Sequence, residues 1–228
     1  MHKLEKIAEQ IRQEFEMRTA VRDKALAQAR ALTRACALAI RAVHREEAEV
    51  MQGHLDEAHK LATALRTDLE EHCDLYYAGY SQDALKEYAE AHIACALIRH
   101  QPLPTPEGLD VPPFTYLNGL AEAVGELRRR CLDILRHGYS DEVEQLLSHM
   151  DDIFSVLVTM DYPDAITNGL RRQTDIARSL IERTRGDITY SLRGEHLERS
   201  ISRLSEQISG SGHLPETNST LLLPPDDE

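Results

Sequence analysis

The chain has 228 residues, a net charge of −13 and 42% hydrophobic residues, few of them aromatic and none tryptophan, so a core has to come from Leu, Ala, Ile and Val on helix faces. This acidity excludes nucleic-acid binding over the whole surface and leaves only a confined basic patch for it, whereas a confined acidic cluster would suit a hard cation. Charges every few residues in Met1 to Arg18 exclude a signal peptide, and no apolar run is long enough to cross a bilayer, so a cytoplasmic protein of one domain with no membrane partner is expected.

In chain order, Leu4, Ile7, Ile11 and Phe15 lie on one helix face, and the Ala/Leu-rich stretch Lys24 to Val43 continues as the same helix or a second one. Beyond Gly53, which weakens a helix, the residues Leu55, Ala58, Leu61, Ala62 and Leu65 carry the pattern to about Tyr77, with Gly79 as the expected stop. Ser81, Gln82 and Asp83 read as the cap region of a helix through Ile98, and the apolar run Ala91 to Ile98 marks it as central. Five prolines between Gln101 and Pro113 dictate a loop. A helix is expected from about Pro113 to Arg136, stopped by Gly138, and another from the N-cap Ser140 toward Thr159. After the break at Asp161 to Pro163, two stretches are expected, Ala165 to Arg185 and Ile188 to Ile208, meeting at Gly186. The helical domain then covers residues 1–208, and the Ser/Gly/Pro composition of 209–228 reads as a flexible tail with an apolar patch at Leu221 to Leu223.

Four glutamates are the sharpest candidates for chemistry. Glu87 and Glu90 precede the proline loop, Glu122 and Glu126 follow it, and each spacing puts a pair on one helix face. If the two helices pack side by side, four carboxylates converge and could hold Mg²⁺ or Mn²⁺. The opposing reading is a solvated acidic face, since Leu117, Leu120, Ala121, Val124 and Leu127 mark the core stripe on the other side of the second helix.

Arg30, Arg34, Arg41 and Arg45 fall within about 60° of one another on a helical wheel, which suits either a phosphate track or a face paired with neighbouring acids. Arg171, Arg172 and Arg178 form a second basic set, but Asp175 and Glu182 stand at salt-bridge spacing among them. The cysteines Cys36, Cys73, Cys95 and Cys131 lack zinc-site spacing and read as buried thiols. The eleven histidines include no HExxH pair, and no glycine-rich phosphate loop or GxSxG occurs.

Four segments resemble the translin family, most closely translin-associated factor X and its prokaryotic relatives: Arg22 to Arg45 (RDKALAQARALTRACALAIRAVHR), Leu85 to Ala91 (LKEYAEA), Tyr116 to Arg130 (YLNGLAEAVGELRRR) and Gly169 to Leu192 (GLRRQTDIARSLIERTRGDITYSL). The resemblance implies an all-α bundle of about seven helices that assembles as a homo-oligomer, a hexamer or an octamer, into a hollow barrel. In the nuclease branch an ExxE motif and a following ADxxGE motif hold the metal. They fall here on Glu87 and Glu90 in Glu87-Tyr-Ala-Glu90, and on Glu122 and Glu126 in Ala121-Glu122-Ala-Val-Gly125-Glu126.

The implied function is a divalent-metal-dependent endoribonuclease for single-stranded RNA, with arginines of the two basic sets on the flanking phosphates. A translin-type protein that binds single-stranded RNA or DNA without cleaving it is the alternative. Glu122 replaces the family's usual Asp, and its extra methylene moves the carboxylate by roughly an ångström. Asn118 stands where an apolar residue is commoner.

Overall fold

A computed structural model describes residues 2–210. Among them every regular element is a helix: α1 (His2–His44), α2 (Ala48–Leu69), α3 (Cys73–Tyr76), α4 (Gly79–Ile98), α5 (Pro106–Leu109), α6 (Pro113–Leu135), α7 (Asp141–Leu157), α8 (Asp164–Thr167) and α9 (Leu170–Gly210). The expected all-α bundle is therefore present, with three helices of a single turn beside six long ones. Of the tail expected at 209–228, Ser209 and Gly210 still belong to α9, and the rest, with Leu221 to Leu223, lies outside the described residues.

α1 is one helix. Ala25, Ala29, Leu32, Cys36, Ala39 and Val43 recur at helical spacing and are buried, and the small residues let α2 pack close against them. α2 runs back along α1, held at its far end by Lys24 to Asp68 (2.8 Å) and by the Arg18–Asp74 ion pair. Gly53 sits inside α2 without ending it, while Leu55, Ala58, Ala62 and Leu65 bury the opposite face.

α4 is the central helix, as its all-round apolar composition predicts. Leu85, Tyr88, Ala89, Ala91, Ile93 and Ala94 are fully buried between α1, α2 and α6.

Two boundaries differ from the sequence reading. α2 ends at Leu69, and Gly79 opens α4 rather than closing the helix before it. Ser81 and Gln82 are not caps for α4. The Ser81 hydroxyl donates to the Leu75 carbonyl (2.8 Å) and Gln82 Nε2 to the Tyr76 carbonyl (2.8 Å), so both bind carbonyls at the end of α3.

At the other end of the chain α9 passes through Gly186 unbroken, and the break falls at Asn168 and Gly169, both at positive φ. Arg128 of α6 explains the continuity, since it reaches Thr184 (2.9 Å) and Asp187 (2.9 Å) on either side of Gly186 while Ile181 and Ile188 stay buried.

The proline segment folds back on the bundle. Tyr116 donates to the Pro104 carbonyl (2.7 Å), Arg66 pairs with Asp110 (2.9 Å), and Leu109 and Val111 are buried. Asn118 is also buried and donates to the carbonyls of Phe114 (2.8 Å) and Thr167 (2.9 Å), tying the start of α6 to the turn before α9. The departure at this position is thus a polar tie.

Two long helices extend past the packed core. Leu4, Ile7, Ile11 and Phe15 of α1 are exposed, as are Leu197, Ile201, Leu204 and Ile208 of α9. Each set has the spacing of an amphipathic stripe, and Leu4, Ile7, Ile11, Phe15, Leu197, Ile201 and Leu204 join no hydrophobic core among the described residues. Among the described residues no helix is long and apolar enough to cross a membrane.

Candidate metal and nucleic-acid site

The site is built where α6 crosses α4. Gly119 makes the crossing possible: a Cβ there would stand 2.8 Å from the Lys86 carbonyl oxygen, 2.9 Å from Ala89 Cβ and 3.0 Å from the Glu90 nitrogen. Only a residue without a side chain allows this approach, and it falls between the two glutamate pairs. The helices therefore face their acidic turns toward one another, with α1 and α9 on the flanks.

All four glutamates are partly buried, so the reading of Glu122 and Glu126 as a solvated face does not hold. Glu122 Oε1 accepts from Lys86 Nζ (2.8 Å) and from Gln173 Nε2 of α9 (2.8 Å). Glu126 Oε2 lies 2.6 Å from His44 Nε2 of α1, with Arg129 at 3.6 Å. The His44 contact is the main cause of a lowered Glu126 pKa.

The other pair behaves in the opposite way. Burial, then the charges of Glu122, Glu126 and Glu87, push Glu90 from 4.5 up to about 8. Burial also raises Glu87, against the opposing influence of Thr33 and Lys86. On Lys86 burial works to lower the pKa, and the hydrogen bond and charge of Glu122 outweigh it, so the net shift is upward. Beneath the cluster the Cys36 thiol is raised by burial and by the charges of Glu87 and Glu90. Three of the four cysteines are buried, as the sequence reading has it, and Cys73 is exposed.

Negative charge is thus crowded here beyond what Lys86 neutralises, and Glu90 keeps its proton near neutral pH as a result. The oxygen-only donors and the missing positive charge fit a hard divalent ion. Among the described residues, however, no group of three or more His, Cys, Asp or Glu side chains stands in an arrangement that could hold a metal ion directly. Lys86 and His44 currently hold the carboxylates of Glu122 and Glu126.

Arg30, Arg34, Arg41 and Arg45 are all exposed, and no salt bridge to any of them is found among the described residues. Their face of α1 lies roughly a quarter-turn from Thr33 and His44, the residues that border the glutamates. Arg171, Arg172 and Arg178 are exposed on α9, and the ladder with Asp175 and Glu182 is not formed. Arg178 instead covers the Phe154 ring at 5.3 Å.

Sequence reasoning missed Lys86, Gln173, His44 and Thr33 as members of the site. All four stand inside the segments that carry the family resemblance, but only the packing of α1 and α9 against the crossing shows which way they point.

No family model matches the chain. It is 31% identical over 196 residues to an uncharacterized protein of Methanocaldococcus jannaschii, covering 82% of this chain and 85% of that one. Among solved structures it is similar to AfC3PO in complex with duplex RNA, at 31% identity with a TM-score of 0.75, covering 82% of this chain and 96% of that one. AfC3PO determined in a separate crystal structure gives 30% identity and the same TM-score, with 82% and 97% coverage. The likeness to apo-NeC3PO, at 18% identity and a TM-score of 0.74 over 80% and 96% of the two chains, is one of fold. Matched along most of its length in sequence and fold to C3PO proteins, this chain belongs to the translin family, on the side of its prokaryotic members that resemble translin-associated factor X.

Proposed function

We propose that this protein binds RNA in the manner of its family and cleaves it as a divalent-metal-dependent endoribonuclease within a closed homo-oligomer. The observation that carries the reading is the crossing of α4 and α6, which crowds Glu87, Glu90, Glu122 and Glu126 until Glu90 retains a proton up to about pH 8. Those four residues would hold Mg²⁺ or Mn²⁺, which when bound supplies Lewis acidity and a water of lowered pKa. Lys86 offers positive charge beside Glu122, and the exposed arginines along α1, which have no salt bridge among the described residues, would with Arg171 and Arg172 hold flanking phosphates.

The exposed apolar stripes of α1 and α9 support assembly. Leu4, Ile7, Ile11 and Phe15, with Leu197, Ile201 and Leu204, are exposed and join no core among the described residues, as a barrel closed by copies of the chain requires. Single strands would thread an enclosed cavity most readily. Because the similar AfC3PO has been determined with duplex RNA, both forms belong in the test.

A non-catalytic RNA- or DNA-binding protein is the second reading. It is favoured by the engagement of Glu122 with Lys86 and of Glu126 with His44, which leaves no ready-made set of ion ligands among the described residues. Labelled single-stranded and duplex RNA, incubated with the protein in Mg²⁺, in Mn²⁺ and in chelator, separate the two readings. Cleavage that requires metal and disappears in folded Glu87→Ala and Glu122→Ala variants supports the nuclease; binding without cleavage in every metal leaves the binder.

A further inference from the structure

Beside the carboxylates lies a recess of about 430 Å³ between the starts of α4, α6 and α9, to which no role has yet been given. Its walls include Lys86, Phe114, Asn168, Arg172 and Gln173, with Asp83 also on its lining. We propose that this recess is a subsite for a single nucleotide, the unit of the RNA strand next to the phosphodiester at the glutamates; it rests on the RNA reading above and gives that site its neighbouring pocket.

Three properties point to a nucleotide. The volume lies within the range of about 300–1,000 Å³ typical of small-molecule sites. The wall combines a partly exposed aromatic ring, Phe114, with amides, the mixture that stacks and hydrogen-bonds a base. Phe114 is also well anchored, since its carbonyl accepts from the buried Asn118.

The charge is right for a phosphate. Arg172 has no carboxylate partner among the described residues, while Lys86 is paired with Glu122 at 2.8 Å and stands 3.9 Å from Asp83. In a chain of net charge −13, Arg172 on the recess wall is the cation left to meet a phosphate.

The link to the carboxylates is direct. Lys86 and Gln173 line the recess and both donate to Glu122 Oε1, each at 2.8 Å. A strand whose base enters the recess therefore places its adjoining phosphate within one residue of the glutamates. Gln173 still has its carbonyl oxygen to offer to a base edge after donating through Nε2.

Equilibrium dialysis of the full-length protein in chelator, with labelled cytidine 5′-monophosphate, tests the subsite without any cleavage. Saturable binding is expected, weakened about tenfold by Phe114→Leu, which keeps apolar bulk but removes the stacking face, and by Arg172→Ala at an exposed position. Asp83→Asn should tighten it severalfold by removing the offsetting charge. Absence of saturable binding, indifference to Phe114→Leu and Arg172→Ala, or equal competition by inorganic phosphate alone would each overturn the proposal. Nucleotide binding that responds to these variants, with no RNA cleavage in any metal, upholds the subsite and removes the nuclease; RNA cleavage without nucleotide binding does the reverse.

Discussion

Replacing Glu90 by glutamine should make the metal-free protein more stable at pH 8 and leave it unchanged near pH 4.5. Glu90 titrates at about 8 in the fold against 4.5 for an unperturbed glutamate, because it is buried beside Glu122, Glu126 and Glu87. Between those two values the folded chain holds a proton that the unfolded chain has released. Stability therefore falls as pH rises from about 4.5 to about 8, and levels off above that. At about 1.4 kcal/mol per pH unit, the penalty at about pH 7 comes to roughly 3 kcal/mol, and glutamine, which is the same size and never ionises, removes it.

Urea unfolding in chelator at pH 5 and pH 8, at one protein concentration so that assembly contributes equally, should show a Glu90→Gln gain that is small at pH 5 and severalfold larger at pH 8. A divalent ion should then raise the wild type at pH 8 and leave the variant nearly unmoved. If the variant is no more stable than the wild type at pH 8, Glu90 does not bear the crowded charge, and the argument for a cation there fails with it.

Gly119→Ala should destabilise the fold by about 1–3 kcal/mol, because its Cβ would meet the Lys86 carbonyl at 2.8 Å and can be relieved only by parting α6 from α4; a chemical denaturation curve unchanged from wild type would contradict this. Arg34→Ala combined with Arg41→Ala should reduce the slope of log affinity for single-stranded RNA against log salt by roughly 1.4, two phosphate contacts at about 0.7 each, with no change in the thermal midpoint, since both side chains are exposed and unpaired among the described residues. Ile11→Asp and Leu204→Asp should each lower the mass measured by sedimentation while leaving helical circular dichroism intact, because these residues join no core among the described residues; an undisturbed oligomer in both would place the interface elsewhere.

Much of the fold could be read in the sequence because its signals are periodic and local. The alanine-rich stripe of α1, the all-round apolar α4 and the proline segment each depend on residues a few positions apart. The boundaries that differed are those where a distant side chain intervenes. Gly186 did not end α9 because Arg128 of α6, 56 residues before Thr184 in sequence, reaches Thr184 and Asp187 on either side of it. Gly79 did not end a helix because Ser81 and Gln82 satisfy the turn before it.

The same division holds at the site. The spacing of Glu87 with Glu90 and of Glu122 with Glu126 was enough to choose these residues, since residues three or four apart share a helix face. Whether that face met solvent or another helix could not follow from spacing. The tertiary structure decided it through Gly119, which brings α6 onto α4 and turns both acidic faces inward. Only then do Lys86, Gln173 and His44 become partners, and only then does Glu90 hold its proton, because burial and neighbouring charge are properties of the packed bundle rather than of any single helix.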